Sequence, residues 1–149
     1  MNLDLLKEMI RRHEGLRLRP YYCSKNHKTL GYGWNLANEL PEDIASYLRV
    51  NGEITRSQAE RLLNISIDVA LRQCWAIFPD FADYSERRQM ALADFIFNVG
   101  IGTALKFRKA MAAVLEGQWS KAADEFQNSA WFSQVGNRSI EICEMIRNG

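Results

Sequence analysis

No long hydrophobic run occurs in this chain of 149 residues. In the opening stretch MNLDLLKEMIRRHEG, Leu3, Leu5, Leu6, Met9 and Ile10 are interrupted by Asp4, Lys7 and Glu8, so nothing there suits a signal peptide or a membrane span. The expectation is a protein made soluble in the cytoplasm, with no direct membrane insertion. Cysteine is scarce and odd in number. Cys23, Cys74 and Cys143 lack close spacing, which argues against a disulfide framework and for a reducing compartment. Cys74 and Cys143 lie in apolar helical runs and are expected to be small buried hydrophobes. Histidine is rarer still. Cys23 and His27 sit four apart, but two ligands in one turn with His13 as a remote third do not make a closed zinc site, so no metal is expected. An excess of one charge is missing too. The 19 Lys and Arg against 18 Asp and Glu leave a net charge of +1, which demands no nucleic acid or other polyanion. Arg11, Arg12, Arg17, Arg19, Lys25 and Lys28 do cluster along the chain, either as ordinary solvated charges or as a local patch for an acidic polymer.

What is present is a single domain's worth of chain with 47% hydrophobic and 25% charged residues, enough to bury one core. Asn2 can cap a helix over about 3–13 that Gly15 ends, with Leu6, Met9 and Ile10 on one face. Residues 17–34 change character: Leu18, Tyr21, Tyr22, Leu30, Tyr32 and Trp34 are β-prone around a polar turn at 24–28, predicting a small antiparallel hairpin sheet. Pro41 at a first helical position starts a short helix to about residue 49, stopped by Asn51-Gly52. Thr55-Arg56-Ser57-Gln58 is a capping box for a long helix over about 56–77, before Pro79. The apolar middle of that helix, Leu62, Leu63, Ile65, Ile67, Val69 and Leu71, suggests burial between two packed regions. Helices are expected over about 86–98, 104–116, 120–127 and 137–147, punctuated by Gly100 with Gly102, Gly117 and Gly136-Asn137. No repeat or flexible linker interrupts them. The order of elements predicts a mostly helical α+β protein, with a small antiparallel sheet, a long helix and a helical bundle.

Within HEGLRLRPYYCSKNHKTLGYGW, Glu14 is followed after eight residues by Cys23 and after five more by Thr29, then at once by Gly31-Tyr32-Gly33. Glu14 falls at the C-terminal end of the first helix, where unsatisfied carbonyls disfavour a further negative charge. A carboxyl that keeps its proton is what glycoside cleavage needs as general acid. Taken alone, a surface carboxylate paired with an arginine explains Glu14 as well.

The spacing Glu-8-Cys-5-Thr resembles the active-site signature of the phage-type lysozymes, glycoside hydrolase family 24. Thr29-Leu30-Gly31-Tyr32-Gly33 matches the family's Thr-x-Gly-x-Gly strand and turn. Gly52-Glu53-Ile54-Thr55 with Gln58-Ala59-Glu60 is similar to the start of its interlobe helix, and Phe95-Ile96-Phe97-Asn98-Val99-Gly100 to its Phe-x-x-Asn-x-Gly cleft segment. Trp119, Ala122-Ala123, Trp131 and Asn137-Arg138 match its C-terminal bundle. The resemblance implies a lysozyme-like fold of two lobes over 1–149, with a lobe at about 14–54, an interlobe helix at about 56–77 and a C-terminal lobe at about 79–149 packed with helix 3–13. It also implies a muramidase that hydrolyses the β-1,4 bond between N-acetylmuramic acid and N-acetylglucosamine in bacterial peptidoglycan, generally with inversion. By the same resemblance Glu14 is the general acid, Cys23 and Thr29 hold or activate water, Tyr32, Phe97 and Asn98 bind substrate, and Arg138 supports the catalytic glutamate. No cofactor is implied. The chain would be a monomeric endolysin that waits in the host cytoplasm until a holin gives it access to the cell wall. Two other readings share the fold: a catalytically impaired cell-wall-binding module, and a lytic transglycosylase.

Cys23 is the departure, because most of the family carries Asp there. A free thiol ionises near ~8.5 against ~3.9 for Asp. Three roles stay open: thiolate base, neutral thiol that orients water with Thr29, or direct nucleophile. The last ranks lowest, since it leaves a thioglycoside that is difficult to hydrolyse. Charged Lys25, Lys28 or His27 would favour the thiolate, and an ionised Glu14 would oppose it. Trp34 stands where the family usually has His, as a sugar-stacking ring or, the favoured reading, as core. Trp75, Trp119 and Trp131 are assigned to packing.

Overall fold

A computed structural model describes residues 1–149. Its elements run α1 (Leu3–Glu14), β1 (Arg17–Tyr22), β2 (Lys28–Gly31), β3 (Trp34–Asn35), α2 (Glu42–Asn51), α3 (Arg56–Ile77), a 3-10 turn at Phe81–Asp83, α4 (Glu86–Val99), α5 (Ile101–Ala104), α6 (Arg108–Leu115), α7 (Trp119–Gln127), α8 (Ala130–Val135) and α9 (Asn137–Asn148). The chain is mostly helical with one small antiparallel sheet, the α+β class that the element order predicts. It divides into two compact units, one of residues 7–68 and one of residues 1–6 with 69–149. No helix is long and apolar enough to cross a membrane.

The smaller unit carries the sheet, in order β1-β2-β3. Tyr21 pairs with Thr29 and Tyr22 with Lys28, while the register shifts between Arg17 and Tyr21. On the other edge Thr29 faces Asn35 and Leu30 faces Trp34. Met9, Ile10, Leu30, Tyr32, Trp34, Ile44, Ile54, Ala59, Leu62, Leu63 and Ile67 form this unit's core. Trp34 is therefore a core residue, with its indole N–H left without a protein partner. Pro41 sits one place earlier than expected, as the residue preceding α2.

The capping box of α3 forms in full. The Thr55 hydroxyl accepts from Gln58 N–H at 3.1 Å, and Gln58 Oε1 accepts from Thr55 N–H at 2.9 Å. The helix is not buried all round, however. Ala59, Leu62, Leu63, Ile67, Ala70 and Cys74 recur at helical spacing and are buried, whereas Ile65 and Val69 are 40% and 47% exposed. A period of 3.6 residues turns positions 65 and 69 away from that stripe, so an apolar middle does not by itself mean a helix enclosed on every side.

In the larger unit α7 packs on α6 and α9, and α9 on α4. Phe95 lies at the centre, edge-on to Phe107, Phe126 and Trp131 with centroids 5.0, 4.8 and 5.0 Å away. Such pairs add about 0.5–1.5 kcal/mol each beyond their area burial. Trp119 stacks edge-on with Tyr84 at 4.8 Å and carries the Arg88 guanidinium 4.5 Å above its ring. Trp75 packs on Phe81 at 5.2 Å yet stays 55% exposed. The helix expected over 104–116 starts only at Arg108, after the short α5, and Gly102 lies inside α5 instead of breaking it. Helix α8 was not anticipated. Its signal is Ser129, whose hydroxyl accepts from Phe132 N–H at 3.4 Å as an N-cap.

Candidate active site

Helix α1 delivers Glu14 as its last residue, capped at the other end by Asn2, whose Oδ1 accepts from Asp4 and Leu5 N–H at 3.1 and 3.2 Å. The half-buried Glu14 carboxylate lies on the backbone of Gly33. A Cβ built on Gly33 would overlap that carboxylate, standing 2.8 Å from its Cδ, and the residue holds φ of +77°. Both the close approach and the left-handed backbone therefore require glycine at this turn.

The turn after β1 holds Cys23. Its N–H donates to His27 O at 2.9 Å, and Asn26 N–H returns to Cys23 O at 2.8 Å, with Asn26 in the left-handed region at φ 61°. This curl aims main-chain N–H groups at the sulfur, a small anion-holding concavity. The thiol is accordingly held below its ordinary range, chiefly by the His27 N–H. Partial burial opposes the shift, and the Lys25 N–H and the Thr29 hydroxyl add to it. Lys25 and His27 thus act through their backbone, not through the side-chain charges that the sequence suggested.

Thr29 is buried on β2, and its hydroxyl donates to His27 O at 2.9 Å while also lying within hydrogen-bonding reach of the Cys23 sulfur. One hydroxyl has one hydrogen, so the two contacts alternate with the state of the sulfur. A neutral thiol donates to the Thr29 oxygen and leaves the bond to His27 O intact; a thiolate draws the hydroxyl hydrogen to itself.

Tyr21, two residues before Cys23 and paired with Thr29, belongs to the same face of the hairpin. Burial pushes its phenol up, the charge of Glu14 adds to this, and Arg17 works in the opposite direction from 5.0 Å above the ring, with Cys23 contributing a further rise. Tyr21 therefore senses both Glu14 and Cys23. The sequence reading missed it, although a period of two from Cys23 along β1 carries the signal.

Tyr32, expected to bind substrate, is 7% exposed, and its phenol is hydrogen-bonded to Glu60 of α3. Glu60 also takes a two-pronged contact from Arg11, at 2.9 Å from Nε and 2.7 Å from Nη2. Arg11 first, and Tyr32 after it, hold the Glu60 carboxyl below the usual carboxylate range against the opposing effect of burial.

The other candidate residues belong to the larger unit. Phe97 and Asn98 are half-buried near the end of α4. Asn98 Oδ1 accepts from the Trp131 indole N–H at 2.8 Å, which fixes the amide and leaves its NH₂ as the remaining donor end. Arg138 opens α9 and donates from Nε to Asp94 at 2.7 Å, a pair 8% and 0% exposed. Asp94 was overlooked, yet one carboxylate inside the apolar run ALADFIF is itself a sign of a buried partner.

Comparison with known proteins adds lineage to this geometry. The chain is 28% identical to the pre-baseplate central spike protein Gp5 of Enterobacteria phage T4 across 97% of its own length, but spans only 28% of that protein. It is 25% identical to probable T4-type lysozyme 1 of Dictyostelium discoideum, covering 97% of this chain and 94% of the relative. An endolysin of Acyrthosiphon pisum secondary endosymbiont phage 1 is 30% identical, over 88% of this chain and 81% of that one. The family model described as phage lysozyme matches residues 11–143, which takes in Glu14, Cys23, Thr29, Asn98 and Arg138 alike, and the chain belongs to the phage lysozyme family.

Proposed function

We propose that this chain is an endolysin-type muramidase that cuts the β-1,4 bond between N-acetylmuramic acid and N-acetylglucosamine in peptidoglycan. Family membership makes it a lysozyme-like peptidoglycan hydrolase. The bond cut, the residue roles and the setting are the further reading. The observation that supports it most is the Cys23 sulfur, ringed by main-chain N–H donors and the Thr29 hydroxyl, with Glu14 sensed by the same neighbouring phenol of Tyr21.

Glu14 gives its proton to the glycosidic oxygen as the C1–O bond breaks. A water held by Cys23 and Thr29 attacks C1 from the opposite face and loses a proton, to the sulfur when it is a thiolate or to solvent when the thiol only orients the water. The oxygen and one hydrogen of the water end on C1, which is inverted, and the proton from Glu14 ends on the leaving oxygen. The proton released by the water returns through solvent to restore Glu14. Phe97 and Asn98 contact the glycan strand, and Arg138 is a supporting residue anchored on Asp94. The enzyme works as a monomer without a cofactor, on the cell wall of a host whose inner membrane a holin has opened.

Glu14→Gln tests the reading directly. Lysis of outer-membrane-permeabilised cells, followed by turbidity, is expected to fall at least ~10²-fold with an unchanged thermal midpoint. A Gln variant that lyses as fast as wild type would sink the proposal. Mass spectrometry of the products is expected to show reducing ends; anhydro-muramic ends would mark a transglycosylase.

A further inference from the structure

Glu14 is held by what lies beneath it as well as by α1. Its carboxylate rests on Gly33, so its position depends on where the 31–33 turn sits. That turn is seated in two ways. A Cβ at Gly31 would meet Ala59 Cβ at 3.6 Å and Ile54 Cδ1 at 3.8 Å, so the turn packs directly on the start of α3. Tyr32, between the two glycines, is buried and bonded through its phenol to Glu60, the next residue of that helix. Glu60 in turn binds Arg11, one helical turn before Glu14 on α1. A single carboxylate therefore ties the floor under Glu14 to the helix that carries it.

We propose that Tyr32, Glu60 and Arg11 act as a positioning network for Glu14, with Glu60 as its centre. The inference rests on the proposed role of Glu14 as general acid. It assigns a joint reason to three side chains that bond to one another through the Glu60 carboxylate. Arg11 donates from Nε and Nη2 to the two separate oxygens of Glu60, and a two-pronged contact sets direction as well as distance. Tyr32 adds a third donor to the same carboxylate, so Glu60 has little freedom to move without releasing both sides. General acid catalysis is sensitive to such placement, since an ångström of displacement costs about two orders of magnitude in rate.

Two variants test this, Tyr32→Phe and Glu60→Ala, with their double. Tyr32→Phe keeps the ring and removes only the phenol, so it is informative even where Glu60→Ala folds poorly. The expected result is a fall in kcat of about tenfold for Tyr32→Phe and more for Glu60→Ala, with KM within about twofold of wild type. The double variant should be no worse than Glu60→Ala alone, because residues that act as a unit lose their effect together. Unchanged kcat in folded variants, with only a lower thermal midpoint, would overturn the network as a positioning device. The ¹³C carboxyl resonance of Glu14 in the substrate-free protein is a second, activity-independent readout. It should shift in both variants, and an unmoved resonance overturns the inference whatever the enzyme acts on. Wild type and Glu14→Gln with equal lytic rates would instead refute the role of Glu14 itself, a separate failure.

Discussion

The turn at Cys23 and the helix interiors at Cys74 and Cys143 hold the same side chain and make opposite use of it. At the turn, main-chain N–H groups from His27 and Lys25 and the Thr29 hydroxyl bring the thiol below its ordinary range. In α3, burial alone pushes Cys74 up to about 12. In α9, burial pushes Cys143 up to about 11, with Arg147 pulling slightly the other way. Desolvation punishes a thiolate wherever it is not answered by donors, and hydrogen bonds to the anion reverse the sign. Reactivity therefore follows the backbone around a cysteine more than its position in a sequence pattern.

Replacing the sulfur at the turn should have the largest effect. Cys23→Ala is expected to lower lysis by at least ~10²-fold, the usual worth of a general base. Cys23→Asp should keep substantial lysis, because the same N–H groups that serve the sulfur can serve a carboxylate. Its acidic limb should move downward. A thiol gains its basic form only as pH rises towards ~8.5, somewhat sooner here, whereas a carboxylate has it above ~3.9. A correctly folded but inactive Cys23→Asp enzyme in the turbidity assay would show that sulfur does something a carboxylate cannot.

Alkylation sharpens the contrast without mutation. Iodoacetamide near neutral pH is expected to modify Cys23 at least ~10-fold faster than either helical cysteine, since the thiolate is the nucleophile and the others are both buried and protonated. Peptide mass spectrometry reads the order of labelling, and lytic activity should fall in step with Cys23 alone. Comparable labelling of all three in the folded protein would erase the distinction.

The helical side of the comparison predicts stability effects only. Cys74→Ser puts a hydroxyl where Cys74 is 0% exposed, and should cost about 1–3 kcal/mol if it finds no partner. The urea midpoint should fall with the rate per folded molecule intact. The smallest effect concerns alkaline pH. Because the folded thiol of Cys74 ionises only at about 12 and the unfolded one near ~8.5, its contribution is complete below ~8.5 and is lost as pH rises towards 12. Cys74→Ala should flatten that part of the stability profile measured by denaturant titration.

Local signals in the sequence were reliable where the structure they encode is local. Asn2, the Thr55–Gln58 box and the polar turn after β1 all mark element ends, because capping and turn formation involve residues within a few positions of one another. The boundary at Phe107 and the extra helix α8 were not seen. Short helices in a bundle form where their apolar face finds partners, and Trp131 is placed by Phe95, Phe107 and Phe126, residues far away in the chain. The spacing of Glu14, Cys23 and Thr29 was legible for the same local reason, since one helix end and one hairpin carry all three. Glu60 was not, because its partners Arg11 and Tyr32 lie 49 and 28 residues earlier.

By itself the sequence determined the class of the fold and the family to which the chain belongs, and it singled out the three side chains proposed to carry the chemistry. Periodicity, caps and motif spacing are properties of neighbouring residues, and they survive without knowledge of what packs where. Tertiary structure alone decided the surroundings of those side chains: the N–H groups that gather on the Cys23 sulfur, the glycine floor beneath Glu14, and the carboxylate of Glu60 that joins the floor to α1. Acidity and orientation depend on distances of a few ångströms between groups remote in sequence, and only the folded chain sets those distances.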